Sequence, residues 1–368
     1  MFELRGKLSS SQKLILGIAG VLVILLAWWL LAEAFSRKVP VVEGFTTELP
    51  SLLAEDSLEV AALRDSILLA DSIKFANATE FRKIYPIVPL PGDVAASYPR
   101  LFAKDNLLGN ALRSIWLNFK GYFWAVLVCV PIGFVVGLFP LFRGLFSKPV
   151  EALRYLPLTA LIGVFIIWFG IYDEMKVAFL AFGIIVFLLP TVISRIDDVE
   201  EVYLQTVFTL GASKWQTIKS VYFPAVMSRL MDDIRVLTAV SWTYIIVAEY
   251  INKDGGGLGA LIFMKRRLQQ VPDMFAIILV IVLIGFLQDQ VFAYLGRRLF
   301  PHRHYKSVLQ GDMEVRLGIY LLLAVFVFSV FFSKLPALSA IALIGALAGL
   351  VFIVYGEIKV QTGLSKQA

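Results

Sequence analysis

Cysteine and histidine are scarce in this sequence, and the common motifs of catalytic sites are missing. Its 368 residues include one cysteine, Cys129, so neither a disulfide nor a cysteine-based metal site can form within one chain. His302 and His304 lie in a basic stretch without the cysteines or carboxylates that would complete a metal site. Neither Gly-x-x-x-x-Gly-Lys-Ser/Thr, which binds phosphates, nor the nucleophile motif Gly-x-Ser-x-Gly occurs. We therefore expect no catalytic residue, no metal ligand and no cofactor on this chain.

Charge is also scarce, and this points to a membrane. Charged residues make up 17% of the chain, hydrophobic residues 59%, and the mean hydropathy is +0.79. Soluble domains carry about 25% charged residues. Apolar runs near the ~20 residues that a membrane-crossing helix needs occupy 14–35, 123–142, 158–172, 177–194, 236–251, 274–295, 317–332 and 335–355. The predicted fold is an all-α polytopic membrane protein with about eight transmembrane helices.

Lysine and arginine indicate the orientation of these runs. They collect before the first run, after the second and sixth, and at the end of the chain, which places those loops and both termini in the cytoplasm. The first run lacks a small-residue cleavage site and is interpreted as a permanent anchor helix. Lys253 and the cluster Lys265-Arg266-Arg267 disagree, because they would lie outside. The net charge of +6 is a topology signal and does not predict a nucleic-acid partner.

A polar stretch over residues 205–224 separates the fourth and fifth apolar runs. Ser213 is followed three residues later by Gln216, a spacing at which each side chain can cap the other's backbone N–H. A helix is therefore predicted to begin just after Gly211. Four apolar residues fall on one face of it: Trp215, Ile218, Val221 and Tyr222. Pro224 is expected to end this helix, since proline has no N–H to donate.

This stretch resembles the cytoplasmic "EAA" loop of bacterial ABC importer permeases. The shared features are Gly211, nine spacer residues, and then Val221-Tyr222-Phe223-Pro224. In that family the loop contributes a coupling helix that docks in a cleft of a separate ATP-binding subunit. The resemblance assigns ATPase coupling to Gly211, Ala212, Ser213, Lys214, Trp215, Ile218, Val221, Tyr222, Phe223 and Pro224. Gln205-Thr206-Val207 stand where the family has Glu-Ala-Ala, so no role is carried over to them.

Two further strings are similar to permeases of the nitrate, sulfonate and taurine importer group. The first, from Leu156-Pro157 to Trp168-Phe169-Gly170-Ile171, is like the Pro-rich start and Trp-Phe-Gly-Ile end of the family's third span. The second is Ala248-Glu249 shortly before Gly257-Leu258-Gly259. With the loop, the resemblance covers residues 86–303.

Four residues are candidates for lining a translocation path: Trp168, Trp242, Tyr244 and Glu249. Glu249 lies near the outer end of a span, where an ionisable group is costly unless it faces protein or water. Structural alternatives stay open, because Trp168 also fits an aromatic belt at the membrane interface and Glu249 can pair with Lys253 one turn later. The 265–267 cluster either helps an anion to approach or is simply solvated.

Four segments organise the chain: an N-terminal anchor helix (1–36), an external segment with amphipathic helices (37–119), a permease core (120–303) whose coupling loop is 196–232, and an extra C-terminal transmembrane hairpin (304–368). A capping signal at Asp56-Ser57-Leu58-Glu59 predicts a surface helix over 57–74. Small residues of the hairpin, among them Gly345 and Gly349, predict close packing against the core or a second copy.

The resemblance implies the membrane-spanning permease subunit of an ATP-driven ABC importer in the inner membrane. As a dimer in the family's manner, it would carry a small solute such as the anions nitrate, sulfonate or taurine. ATP and Mg²⁺ would bind the partner ATP-binding subunit, and an extracytoplasmic solute-binding protein would deliver the solute. Two alternatives stay open: a secondary transporter or channel without an ATPase, and a membrane scaffold that acts through its external segment.

Overall fold

Long helices dominate the computed structural model, which describes residues 9–40, 81–301, 311–332 and 337–365. In chain order, α1 to α13 span Ser10–Ala34, Pro91–Ala103, Leu107–Leu138, Pro140–Ala152, Ile162–Phe169, Asp173–Asp197, Glu201–Thr209, Lys214–Thr217, Phe223–Ile251, Leu258–Arg267, Val271–Leu299, Asp312–Phe331 and Ala337–Ser365. Strands β1 (Arg37–Pro40) and β2 (Phe81–Ile84) pair antiparallel. The predicted all-α fold is confirmed, with this short ribbon added. The surface helix predicted over 57–74 and both histidines lie outside the described residues.

Within these described ranges, seven helices are long and apolar enough to cross a membrane. They are Ser11–Ala34, Leu107–Leu138, Asp173–Asp197, Lys214–Ile251, Val271–Leu299, Asp312–Phe331 and Ala340–Thr362. A pair of shorter helical segments, Pro140–Tyr155 and Leu158–Phe169, is bent by 92° and makes an eighth span if it crosses as one. The third predicted span, 158–172, is therefore not a straight helix of membrane length.

The chain divides into two compact units, Met1–Asp105 with Lys265–Ala276, and Asn106–Met264 with Ile277–Ala368. In the larger unit, α3 and α6 run parallel. At one end Arg113 of α3 pairs with Asp173 of α6 at 2.7 Å. At the other, Arg143, five residues beyond α3, pairs with Asp197 at 2.6 Å. Two parallel neighbours require the chain to return between them, and the bent pair Pro140–Tyr155 and Leu158–Phe169 lies in this returning segment.

Helix α3 begins at Leu107, whereas the second apolar run was predicted to begin at residue 123. The polar residues Ser114 and Asn118 lie in the part that the prediction left out, and both are buried. Asn118 Nδ2 donates to Ser241 Oγ at 2.9 Å, which satisfies it inside the protein. Hydropathy predicted too short a span, because it treats Ser114 and Asn118 as if they were exposed to lipid, whereas both are buried in protein.

Small residues bring α3 and α6 together. A Cβ built on Gly133 would lie 2.5 Å from the side chain of Val192, and one on Gly137 would lie 2.6 Å from that of Ile196. Close approach of this kind stabilises helix pairs where no hydrophobic effect acts between them. The thiol of Cys129 is buried in the same interface, 3.9 Å from the carbonyl oxygen of Ile185.

In the smaller unit, carboxylates neutralise Lys265, one of the basic residues that disagreed with the predicted orientation. Lys265 Nζ lies 2.7 Å from Asp105 and 3.1 Å from Asp273, and its side chain is almost fully buried. Arg100 of α2 also pairs with Asp273. The interpretation of the 265–267 cluster as solvated or anion-attracting is therefore wrong for Lys265.

Candidate functional site

The loop between α6 and α9 begins with a glycine turn. Helix α7 ends at Thr209, and Gly211 then adopts φ +74°, a left-handed conformation that glycine tolerates best. The backbone N–H of Ala212 donates to the carbonyl of Val207 at 3.2 Å, the long bond of a glycine helix stop. Gly211 is thus needed for its backbone, which explains why the loop pattern contains a glycine here.

The capping box predicted at Ser213 is present. Gln216 N donates to Ser213 Oγ at 3.3 Å, and Ser213 N donates to Gln216 Oε1 at 2.8 Å. Helix α8 therefore begins at Lys214, and two backbone N–H groups at its start, those of Ser213 and Gln216, have acceptors. This local arrangement follows from the sequence alone.

The prediction that Pro224 ends the helix is wrong. Helix α8 passes through a π-helical segment, Ile218–Tyr222, and continues as α9. The N–H of Phe223 donates to the carbonyl of Ile218, so the ladder is widened by one residue just before the proline. Pro224 then sits in the first turn of α9, where its missing N–H costs little. Lys214–Ile251 is one helical path of 38 residues.

Part of the predicted docking face is exposed and part is packed. Trp215 is 71% exposed and Phe223 is 48% exposed, while Ile218, Val221 and Tyr222 are half-buried. Phe223 also stacks near Phe134 of α3, with ring centroids 6.0 Å apart. The same loop exposes further apolar side chains: Val202, Tyr203, Phe208 and Leu210. The free apolar surface is therefore centred on α7 and the start of α8.

Ion pairs between helices anchor both ends of the loop. Arg195 at the end of α6 binds Asp233 of α9 through two hydrogen bonds of 2.7 Å. Arg235 binds Asp289 of α11 at 2.9 and 3.0 Å. Asp233 and Arg235 of α9 thus each have a partner on another helix. Helical spacing reveals only neighbours on one helix.

The four candidate path residues are not brought together on one open surface. Trp168 is 69% exposed at the end of α5. Trp242 is buried and donates from Nε1 to Gln288 Oε1 at 2.7 Å. Tyr244 packs edge-on against Phe179, with ring centroids 6.0 Å apart. Glu249 has no exposed surface. Within one subunit, only Trp168 of the four lies largely in open space.

Glu249 organises a buried polar cluster that joins α3, α9 and α10. Ser114 Oγ donates to the Glu249 carboxylate at 2.7 Å, and the backbone N–H of Gly259 donates to it at 2.9 Å. Ser114 Oγ in turn accepts from the N–H of Leu258 at 2.9 Å. A carboxylate at this position also compensates the positive end of the α10 dipole.

The expected pairing of Glu249 with Lys253 is not formed. Lys253 Nζ instead lies 3.5 Å from the centroid of the Phe263 ring. Three successive glycines, at 255, 256 and 257, have positive φ, and Gly257 N donates to Asn110 Oδ1 at 2.8 Å. The buried Lys176 donates to the carbonyl of Asp254. Side chains of three helices therefore hold this loop by its backbone.

In the part of the chain that the structure describes, no three His, Cys, Asp or Glu side chains are placed to hold a metal ion. The described residues thus form two features: an exposed apolar surface on α7 and the start of α8, and a loop at 252–258 that hydrogen bonds hold in place.

Comparison with known proteins gives one family and several relatives. Residues 129–301 match the family described as binding-protein-dependent transport system inner membrane component. The chain is 28% identical over 203 residues to the taurine transport system permease protein TauC of Escherichia coli, which covers 55% of this chain and 74% of that protein. It is 25% identical over 221 residues to a Bacillus subtilis protein named for aliphatic sulfonates transport, SsuC, covering 59% and 79%.

Proposed function

Over residues 129–301 this chain is a member of the family of binding-protein-dependent transport system inner membrane components, and we propose that it is the permease subunit of an ATP-driven importer. Two copies form the translocation path, and residues 205–224 couple each copy to a separate ATP-binding subunit. ATP and Mg²⁺ act on that partner, while a solute-binding protein delivers the solute from outside. Both termini of this chain lie in the cytoplasm.

One observation carries the proposal: the coupling helix is the start of a membrane-crossing helix. Lys214–Ile251 forms one helical path of 38 residues. At 1.5 Å per residue it is about 57 Å long, enough to cross the hydrocarbon core and project beyond it. A displacement of Trp215 by a moving partner is therefore transmitted along α9. A flexible linker between docking helix and span would absorb the same displacement.

The exposed apolar side chains of the loop supply the docking chemistry. A tryptophan buries roughly 150–250 Å² when it is covered, and aromatic anchors of this kind dominate interface energies. Trp215 lies two residues after the capping residue Ser213, so its position relative to the helix axis is fixed before the partner binds. Little ordering entropy is then lost on docking.

For the solute, we propose a small anion of the nitrate, sulfonate or taurine type. The support comes from the relatives named for taurine and for aliphatic sulfonates. Labelled taurine is the first probe, with nitrate and methanesulfonate as competitors. If labelled taurine is not taken up, or if neither nitrate nor methanesulfonate reduces its uptake, this solute class is removed and the permease assignment stays intact.

Co-purification tests the ATPase contact. A tagged permease that is co-expressed with its ATP-binding subunit should retain that subunit in detergent, and Trp215→Ala should release most of it. Trp168→Ala is the matched control, since Trp168 is 69% exposed and Trp215 is 71% exposed. Equal retention by both variants would show that Trp215 is not part of the contact.

A second candidate, a secondary transporter, is favoured by the buried charges Lys176 and Glu249, because ion-coupled carriers use such groups. Vesicles distinguish the two. Uptake that needs internal ATP and the ATP-binding subunit supports the importer, whereas uptake that follows an imposed proton or sodium gradient without that subunit supports the alternative.

A further inference from the structure

The C-terminal hairpin, α12 with α13, lies beyond the segment matched by the family and has no assigned role. Its two helices approach at glycines spaced by seven residues, Gly311 and Gly318 on one side and Gly349 and Gly356 on the other. A Cβ on Gly318 would lie 2.6 Å from the carbonyl oxygen of Gly349. The small residues that predicted close packing thus pack inside the hairpin, so its outer contacts need a different explanation.

One of these outer contacts is polar and nearly closed to solvent. Glu357 of α13 accepts hydrogen bonds from Arg298 Nε at 2.8 Å and from the hydroxyl of Tyr294 at 2.6 Å, both on α11. The Arg298 side chain is only 9% exposed. A guanidinium that is buried to this extent depends on acceptors inside the protein, and the hairpin supplies the carboxylate of Glu357.

The other contact is aromatic and reaches α3. Phe326 of α12 lies 5.8 Å from Trp116, 6.1 Å from Phe119 and 5.8 Å from Phe123, as ring centroid distances, each near edge-on. Aromatic pairs of this geometry add about 0.5–1.5 kcal/mol beyond the area they bury. The hairpin therefore contacts both α3 and α11.

Helix α11 carries the groups that bind the helix leading from the coupling loop. Gln288 accepts from Trp242, and Asp289 accepts from Arg235; both donors are on α9. These two contacts depend on where α11 stands relative to α9. A contact that holds α11 in position therefore also holds Gln288 and Asp289, the partners of Trp242 and Arg235 on α9.

We propose that the C-terminal hairpin is a brace that holds α11 in position, with Glu357 as its positioning residue. The brace acts through the ion pair with Arg298 and keeps Gln288 and Asp289 aligned with α9. Its consequence for transport rests on the function proposed above, while the positioning itself does not.

Hydrogen exchange of the full chain in lipid nanodiscs tests the positioning. Glu357→Ala should raise amide exchange in the α11 segment 284–299 by about tenfold, because Arg298 loses the carboxylate that ties α11 to the hairpin and local opening becomes easier. Glu314→Ala is the matched control: Glu314 pairs with Lys359 inside the hairpin at 2.6 Å, and its side chain is 27% exposed against 26% for Glu357. The control should raise exchange in α12 and α13 only.

A charge swap, Arg298→Glu with Glu357→Arg, should return α11 exchange toward the wild-type rate. Equal effects of Glu357→Ala and Glu314→Ala on α11, or no effect of either, would overturn the brace. If Glu357→Ala does not accumulate, Tyr294→Phe removes a single hydrogen bond and should give a smaller rise confined to α11, and its absence would likewise overturn the proposal.

ATP-driven taurine uptake by the same nanodisc-tested variants, reconstituted with the ATP-binding subunit, separates the two proposals. With a working wild type, Glu357→Ala should slow uptake per folded complex about tenfold more than Glu314→Ala. A wild type without ATP-driven taurine uptake would contradict the proposed solute, and the exchange result would still decide the brace.

Discussion

The carboxylate of Glu249 and the backbone N–H of Gly259 lie 2.9 Å apart, and this bond ties the end of α9 to the start of α10. Glu249 is fully buried and also accepts from Ser114. A residue that sequence reasoning placed on a translocation path is therefore held inside the subunit. We propose that it positions the loop at 252–258.

Glu249→Ala should lower the free energy of unfolding by about 2–3 kcal/mol, because hydrogen bonds to a charged group are lost and their donors stay buried. Thermal unfolding of the detergent-purified chain measures this. Glu249→Gln keeps an acceptor for Gly259 and should lose less than half as much. Equal stability of Glu249→Ala and wild type would contradict the positioning role.

Gly257→Ala should be strongly destabilising, whereas Gly163→Ala should not. Gly257 has φ +112°, and an added Cβ would collide with the Glu249 carboxyl group. Gly163 lies in α5, and a Cβ there meets nothing within 4 Å. Alanine favours a helix over glycine by about 1 kcal/mol, so Gly163→Ala should unfold at the same or a higher temperature in the same assay. A Gly257→Ala protein as stable as wild type would show that the loop adapts.

Ser213→Ala should weaken coupling without weakening the fold as a whole. Loss of an N-cap hydroxyl costs about 1 kcal/mol, here at the start of the coupling helix. Ser9 and Gln12 form the same capping box at the start of α1, so Ser9→Ala is a matched control. ATP-driven uptake should fall about fivefold in Ser213→Ala and stay near wild type in Ser9→Ala. A similar fall in both would indicate general destabilisation.

Lys265→Met should destabilise the protein, and Arg267→Met should leave its stability unchanged. Lys265 is buried between Asp105 and Asp273, and both carboxylates would lose its ammonium group, while Arg267 is exposed. Removal of one partner of a buried pair costs about 3–5 kcal/mol. Thermal unfolding of both variants checks this. A raised apparent KM for taurine in Arg267→Met, with stability intact, would instead support attraction of an anion by this cluster.

The sequence was informative wherever structure depends on near neighbours. The capping box at Ser213 and Gln216 and the helix start just after Gly211 depend on local spacing and were predicted correctly. The exposure of Trp215 was also consistent with its predicted place on a docking face.

Contacts between distant segments were beyond the sequence. Arg235 binds Asp289 of α11, 54 residues away, and charge spacing along α9 does not reveal this contact. The early start of α3 was missed because Asn118 is satisfied by Ser241, more than a hundred residues later. The prediction that Pro224 ends the helix failed for a different reason. A π-helical segment rearranges the backbone hydrogen bonds just before the proline, and the composition of the sequence does not reveal such a segment.

The single cysteine makes this protein unusually convenient for spectroscopy. Cys129 is the one thiol of the chain and is shut inside the contact between α3 and α6. Thiol reagents in water should therefore leave the native protein unlabelled. A nitroxide or fluorophore attached to a cysteine introduced at an exposed position such as 215 would report from that position alone, and the motion of the coupling helix during ATP turnover becomes measurable without rebuilding the protein first.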